Sequence, residues 1–196
     1  MFQFIQHQND LYPVLNLMDQ SSVYGLDTEF IKVDTLWPKL GVFQINVDNK
    51  VYLLDGTTLD LTEFFNKVFN AQQNIFHACS EDIDLLYHYT QKKSLTNVFD
   101  TQVGMSFLGH GLQVSYQNAL KQMLEVDIEK DQPERSVGPP GARNLPVQQG
   151  RQVMAVVHLG QSVEKGLFAD FAFQPSDGGD VPTDNDSVVG SEGKPG

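Results

Sequence analysis

Val23-Tyr24-Gly25-Leu26-Asp27-Thr28-Glu29-Phe30-Ile31 is the stretch on which the fold turns. Branched and aromatic residues make it strand-like, yet two acids interrupt its middle. Side chains two apart on a strand share a face, so Asp27 and Glu29 point together. Like charges that close repel unless protons or cations compensate them, and a divalent cation is the simplest compensation. A solvent-facing strand end carrying two ordinary acids is the alternative at this point.

Outward from this strand, Gly41 to Val47 and Val51 to Leu54 read as further strands, and Asp48-Asn49-Lys50 is short enough to join them as an antiparallel hairpin. Upstream, Phe2 to Gln6 reads as a short strand, and Asp10 to Met18 carries Leu11, Val14, Leu15 and Met18 at helical spacing. Downstream, Leu61 to Phe69, Ser80 to Thr90 and Val114 to Leu124 read as helices, with a strand at Asn74 to Ala78. Antiparallel strands followed by β-α alternation predict an α/β fold: a mixed sheet with helices packed on it.

A second acidic group, Ser80-Glu81-Asp82-Ile83-Asp84, opens the helix after the strand at Asn74 to Ala78. Taken alone it needs no function, because Ser80 is a good N-cap and acids complement the positive end of a helix. Together with Asp27 and Glu29 it becomes more specific. Acids mid-strand and at a later strand-to-helix junction can supply oxygen ligands to hard cations. Two such ions about 3.5–4 Å apart can clamp both oxygens of a phosphodiester displacement.

Composition limits the alternatives. The chain has 196 residues, 40% hydrophobic, with a formal net charge of -12, which fits one globular domain and not a basic nucleic-acid binder. No apolar run reaches the ~18 residues of a membrane span, so no membrane partner is expected. Cys79 is the only cysteine, which excludes an internal disulfide framework and points to a reduced, cytoplasmic setting. Met1 to Gln8 lacks the basic start and apolar core of a secretory signal.

Character changes near Ser136. Gly138-Pro139-Pro140-Gly141, Asp177-Gly178-Gly179-Asp180 and Gly193-Lys194-Pro195-Gly196 punctuate the remainder of the chain, around one apolar stretch, Val153 to Leu159. The expected organisation is therefore a domain over residues 1–136 and a divergent tail over 137–196, disordered from Gln174 onward.

Five ordered blocks carry a resemblance: Leu26-Asp27-Thr28-Glu29-Phe30, Pro38 to Ile45, Phe76-His77-Ala78-Cys79-Ser80-Glu81-Asp82, Phe99-Asp100-Thr101-Gln102, and Leu112 to Asn118. In order and spacing they resemble ribonuclease D, a 3'-to-5' exonuclease family with four metal-binding acids on a ribonuclease H-like fold. The resemblance covers roughly Met1 to Ser136 and implies that fold, two divalent cations (Mg²⁺ or Mn²⁺), and RNA 3' ends such as those of tRNA precursors as substrate, the chain acting as a monomer. Asp27 and Glu29 match the first motif's acids and Asp82 the second motif's acid, which makes these three the expected catalytic and metal-ligating residues. Asp84 is read as a helix-surface residue.

The resemblance breaks at the third motif, a Tyr followed four residues later by the fourth acid. No Tyr lies beyond Tyr116, and none has Asp four positions on. His158 with Glu164 imitates that pattern only partially. Where an Asp-Trp-Leu segment should come after Ser136, Val137-Gly138-Pro139-Pro140 stands instead, as a shifted reading frame or a fused tail would leave it. The exonuclease domain is thus expected to be incomplete at its C-terminal end, its activity weakened or lost, with a non-catalytic nucleic-acid-binding remnant and a DNA-directed proofreading exonuclease as the other readings.

Around the acids, Trp37 and Lys39 are candidates for stacking on a base and pairing with a phosphate. His77 is a candidate substrate contact, against a histidine bonded to backbone. Cys79 reads as a small packed residue, Asp100-Thr101-Gln102 as a helix cap, and Tyr116 as packing. Cations bound at the acids would make an otherwise acidic surface attractive to phosphate, leaving Lys39, Lys92, Lys93 and Lys130 to position the strand.

Overall fold

The computed structural model describes residues 2–31, 39–91, 93–127 and 149–172, with side chains in the last segment described at 155–167 and 169. Trp37, Lys92, Lys130, the change of character at Ser136 and the stretch from Gln174 lie outside the described residues.

Among the described residues, six strands form one mixed sheet in the order β1-β4-β3-β2-β5-β6. These are β1 (Phe2–Ile5), β2 (Val23–Ile31), β3 (Lys39–Val47), β4 (Lys50–Asp55), β5 (Gln73–Phe76) and β6 (Val98–Asp100). β2, β3 and β4 run antiparallel in turn, while β1 on β4, β5 on β2 and β6 on β5 are parallel. The β3–β4 hairpin closes through Asp48 and Asn49 at φ 50 and 59, the doubly left-handed turn that Asn and Asp tolerate and that matches strand twist.

The two faces of the sheet are covered separately. On one, α1 (Gln8–Met18), α2 (Thr62–Asn70) and α3 (Ser80–Tyr89) bury Leu11, Leu15, Met18, Phe64, Val68 and Leu86 against Tyr24, Leu26, Phe43 and Ile45. Phe43, Phe64 and Phe65 meet edge to face at 5.0–5.6 Å, and each buried ring or aliphatic chain contributes about 1.5–3 kcal/mol. On the other face lie α4 (Thr101–Phe107), α5 (Tyr116–Leu124) and α6 (Gln149–Ala172), joined through Met105, Leu120, Leu159 and Val163.

Two elements depart from the sequence reading. In the short β6–α4 unit the helix starts at Thr101 directly after the strand ends at Asp100, so the residues read as a cap also begin a helix. More consequentially, α6 arises from the stretch expected to be a tail and packs across β2, β3, β4 and β5. Val156, Leu159 and Val163 fall on one helical face and are buried, a pattern that extends beyond the apolar run at Val153 to Leu159. Gly25 admits this helix: a Cβ there would stand 2.3 Å from Val156 Cγ1 and 2.9 Å from Val157 Cγ2.

Candidate functional site

Asp27 and Glu29 lie on the α6 side of β2, beyond the point where its pairing with β5 ends at Gly25. Pairing with β3 places Gln44 directly opposite Asp27, and the Gln44 Nε2–H donates to Asp27 Oδ2 at 2.8 Å. A register shift between Glu29 and Phe30 locally bends the strand just past the acids.

Asp82 arrives from the other face. It sits in the first turn of α3, buried, where both the backbone N–H of Thr28 (3.0 Å) and the Thr28 hydroxyl donate to its Oδ1. Thr28 alternates with Asp27 and Glu29, so its side chain reaches the α3 side while theirs face α6. The free edge of β2 therefore carries acids from both faces.

The aim of α3 is set by Asp100. Its carboxylate accepts the N–H groups of Ala78 and Cys79, each at 2.9 Å, and of Gln102 at 2.8 Å. The first two belong to a tight turn in which Ala78 adopts φ 61, so the strand ends at Phe76 instead of running to Ala78. Burial opposes ionisation of Asp100, but the three N–H bonds outweigh it and hold its carboxyl below the usual carboxylate range. The helix cap read from the sequence is present, and the same carboxylate also locks the turn that presents Asp82.

Electrostatically the acids are unbalanced. Burial, then the charges of Asp82 and Glu29, push Asp27 up to about 8. Burial also raises Asp82, against the opposing bonds from Thr28. Yet the amide donor facing Asp27 is the partner of a carboxylate, and a bound cation reconciles a buried carboxylate with its acidic neighbours. Among the described residues, no three His, Cys, Asp or Glu side chains stand close enough together to enclose an ion. The donor set fits a hard cation of the Mg²⁺ kind, which takes one or two carboxylates and completes its shell with water and substrate oxygens. Asp27 and Glu29, with Asp82 beside them, are the residues that would hold it.

The remaining candidates divide. His77 gives both ring nitrogens to the protein, Nδ1 to the Thr101 hydroxyl at 2.8 Å and Nε2 to the Val114 carbonyl at 2.9 Å, and burial lowers its pKa. Its place is structural, tying the segment before α5 to the end of β5. Tyr116 stacks edge-on against His77 with centroids 5.3 Å apart, and burial, with a smaller contribution from the charge of Asp27, raises its hydroxyl. Cys79 is buried and pushed up to about 12 by burial and Asp100, which suits a packed thiol. Asp84 is exposed, as is Lys39, the first residue of β3. Lys93 lies past the far end of α3 from Asp82, 6.0 Å over the Phe69 ring.

Glu164 stands away from Asp27. Its Oε1 accepts from Gln73 Nε2 at 3.4 Å, and Gln73 pairs with Val23, four residues and about 13 Å along β2 from Asp27. Asp170, whose side chain lies outside the described ones, is six residues further along the same helix. Sequence reasoning missed Gln44, Thr28 and the double duty of Asp100. Only Gln44 left a signal, as a polar residue in phase with Val42 inside an apolar strand.

A profile of 3'-5' exonuclease domains matches residues 2–151. Ribonuclease D of Haemophilus influenzae is 34% identical over 131 residues, covering 66% of this chain and 33% of that protein. Ribonuclease D of Zymomonas mobilis is 31% identical over 117 residues, covering 58% and 30%. The chain spans about a third of the length of these curated relatives. Among solved structures, Escherichia coli RNase D, described as an exoribonuclease involved in structured RNA processing, superposes with a TM-score of 0.72 at 19% identity, covering 88% of this chain and 47% of that one. The Trypanosoma brucei RNase D complex with RNA U12 gives 0.64 at 16%, covering 83% and 62%. These superpositions share the mixed-sheet architecture described above.

Proposed function

The chain belongs to the 3'-5' exonuclease family, and on that footing we propose that it is a ribonuclease D-like domain that hydrolyses RNA from the 3' end, tRNA precursors among its substrates. The observation that carries this reading is the meeting of Asp27 and Glu29 from β2 with Asp82 from α3 where β2 has left its pairing with β5, Asp27 being buried there and pushed up to about 8 by that burial first and by the charges of Asp82 and Glu29 second. Divalent cations, Mg²⁺ or Mn²⁺, bound there would neutralise the phosphodiester and acidify an attacking water.

The chain's own residues do the rest. Gln44 and Thr28 each fix one oxygen of an acid, Asp100 fixes the turn that delivers Asp82, and exposed Lys39 stands at the start of β3 to meet a phosphate. Among the described residues, no acid on α6 approaches Asp27, because Glu164 lies at the opposite end of β2. Turnover is therefore slow: misplacing a reacting group by about 1 Å costs on the order of 100-fold. The stretch from Val137 is proposed to replace the family's own last segment through a frame change or fusion, and retranslation of the coding sequence in the other frames tests it.

Substrate preference tests the reading. With Mg²⁺ or Mn²⁺ present, a single-stranded RNA 3' tail should be shortened faster than a DNA tail of the same sequence. Preference for DNA would support the proofreading reading, and binding of RNA without shortening would support the non-catalytic one.

A further inference from the structure

We propose that Gln44 is a positioning residue for cation binding, holding Oδ2 of Asp27 so that Oδ1 is the oxygen left for the cation. This deepens the proposed function and rests on Asp27 being part of a cation site.

Gln44 lies opposite Asp27 in the β2–β3 register, is 0% exposed, and donates through Nε2 to Oδ2 at 2.8 Å. Burying an amide is costly unless both its ends find partners. Gln44 leaves its carbonyl without one among the described residues. On the β4 side its cross-strand neighbour is Leu53, which offers only an apolar side chain to the Gln44 amide. As a packing residue, then, Gln44 is inferior to Met or Leu, and among the described residues the bond its side chain makes is to the acid. Fixing one oxygen removes the carboxylate's freedom to turn, so less freedom remains to be lost when a cation takes the other oxygen. Thr28 performs the matching task for Asp82 through Oδ1, from the opposite face of β2. Each acid thus has one oxygen committed to the protein.

The test is calorimetric titration of Mn²⁺ into the full chain and into Gln44→Met, with melting curves of both without metal. The wild type is expected to bind Mn²⁺, and Gln44→Met to keep a cooperative melting transition but to bind at least about tenfold more weakly, the usual effect of losing a partner behind a metal ligand. A folded Gln44→Met protein that binds Mn²⁺ as tightly as the wild type overturns the inference and leaves the proposed function standing. A wild type that binds no Mn²⁺ overturns both. Should Gln44→Met fail to fold, nuclear magnetic resonance of the wild type decides: the Gln44 side-chain amide is expected to shift on Mg²⁺ titration, and an unmoved resonance at saturation overturns the inference.

Discussion

Thr28 grips Asp82 twice, its backbone N–H at 3.0 Å and its hydroxyl both donating to Oδ1. This clasp crosses from the strand that carries Asp27 and Glu29 to the helix that carries Asp82, and it is the direct link between the two acidic motifs. Thr28→Val keeps the side-chain shape and removes one donor from a buried carboxylate. It is expected to cost about 1–3 kcal/mol, read as a melting-temperature drop of about 2–4 °C per kcal/mol. Thr28→Ser should recover most of it, and equal melting of all three proteins would show that the hydroxyl does nothing.

Asp27 makes stability fall with rising pH. Its carboxyl is raised to about 8 in the folded chain against 3.8 ordinarily, so the folded state keeps a proton that the unfolded state releases. Stability from this group is full below pH 3.8 and is lost as pH rises toward 8. Melting without metal should therefore decline across that window, Asp27→Asn should flatten the decline, and Mg²⁺ at about pH 8 should restore stability by binding the folded state. A metal-free melting temperature independent of pH in the wild type would count against the burial of Asp27 among acids.

Asp100 acts in the opposite sense. Its pKa is lowered, so its contribution is present above the ordinary carboxylate pKa and is lost as pH falls through the depressed value. Asp100→Asn should weaken the acid limb of the pH-stability curve and cost on the order of 3 kcal/mol near neutrality, through the N–H groups of Ala78 and Cys79. Chemical denaturation at neutral and at acid pH measures both.

The close contact of Gly25 with Val156 predicts a separable response of α6. A methyl at residue 25 cannot fit 2.3 Å from Val156 Cγ1, so Gly25→Ala should push α6 off the sheet at a cost of roughly 1–3 kcal/mol. Hydrogen exchange should then speed in α6 while the β3–β4 hairpin stays protected. Unchanged exchange in α6 would mean that the helix does not rest on β2.

The first five strands and the helices α1, α2, α3 and α5 were legible because their apolar positions follow period 2 or 3.6 over enough residues, β2 running from Val23 to Ile31 just as alternation places it. β6, three residues long, is too short to show a period. α6 was hidden by its setting, since Gly150, Gly160 and Gly166 interrupt a pattern that only the contacts of Val156, Leu159 and Val163 reveal. Asp27 and Glu29 stood out as acids where apolar residues were due, whereas Asp82, an ordinary acid for the start of a helix, gained meaning only in their company. Their supports did not, because Gln44 opposite Asp27 and Thr28 against Asp82 depend on strand register and helix aim, which are properties of the folded chain.

The most direct test is to track a 5'-labelled RNA with a single-stranded 3' tail, incubated with the full chain and Mg²⁺ or Mn²⁺, beside Asp27→Asn and a chelator control. Slow stepwise shortening from the 3' end, abolished in both controls, is the expected result. Shortening that survives Asp27→Asn or chelation, or none at all from protein shown to be folded, would contradict the assignment of these acids to a working exonuclease site.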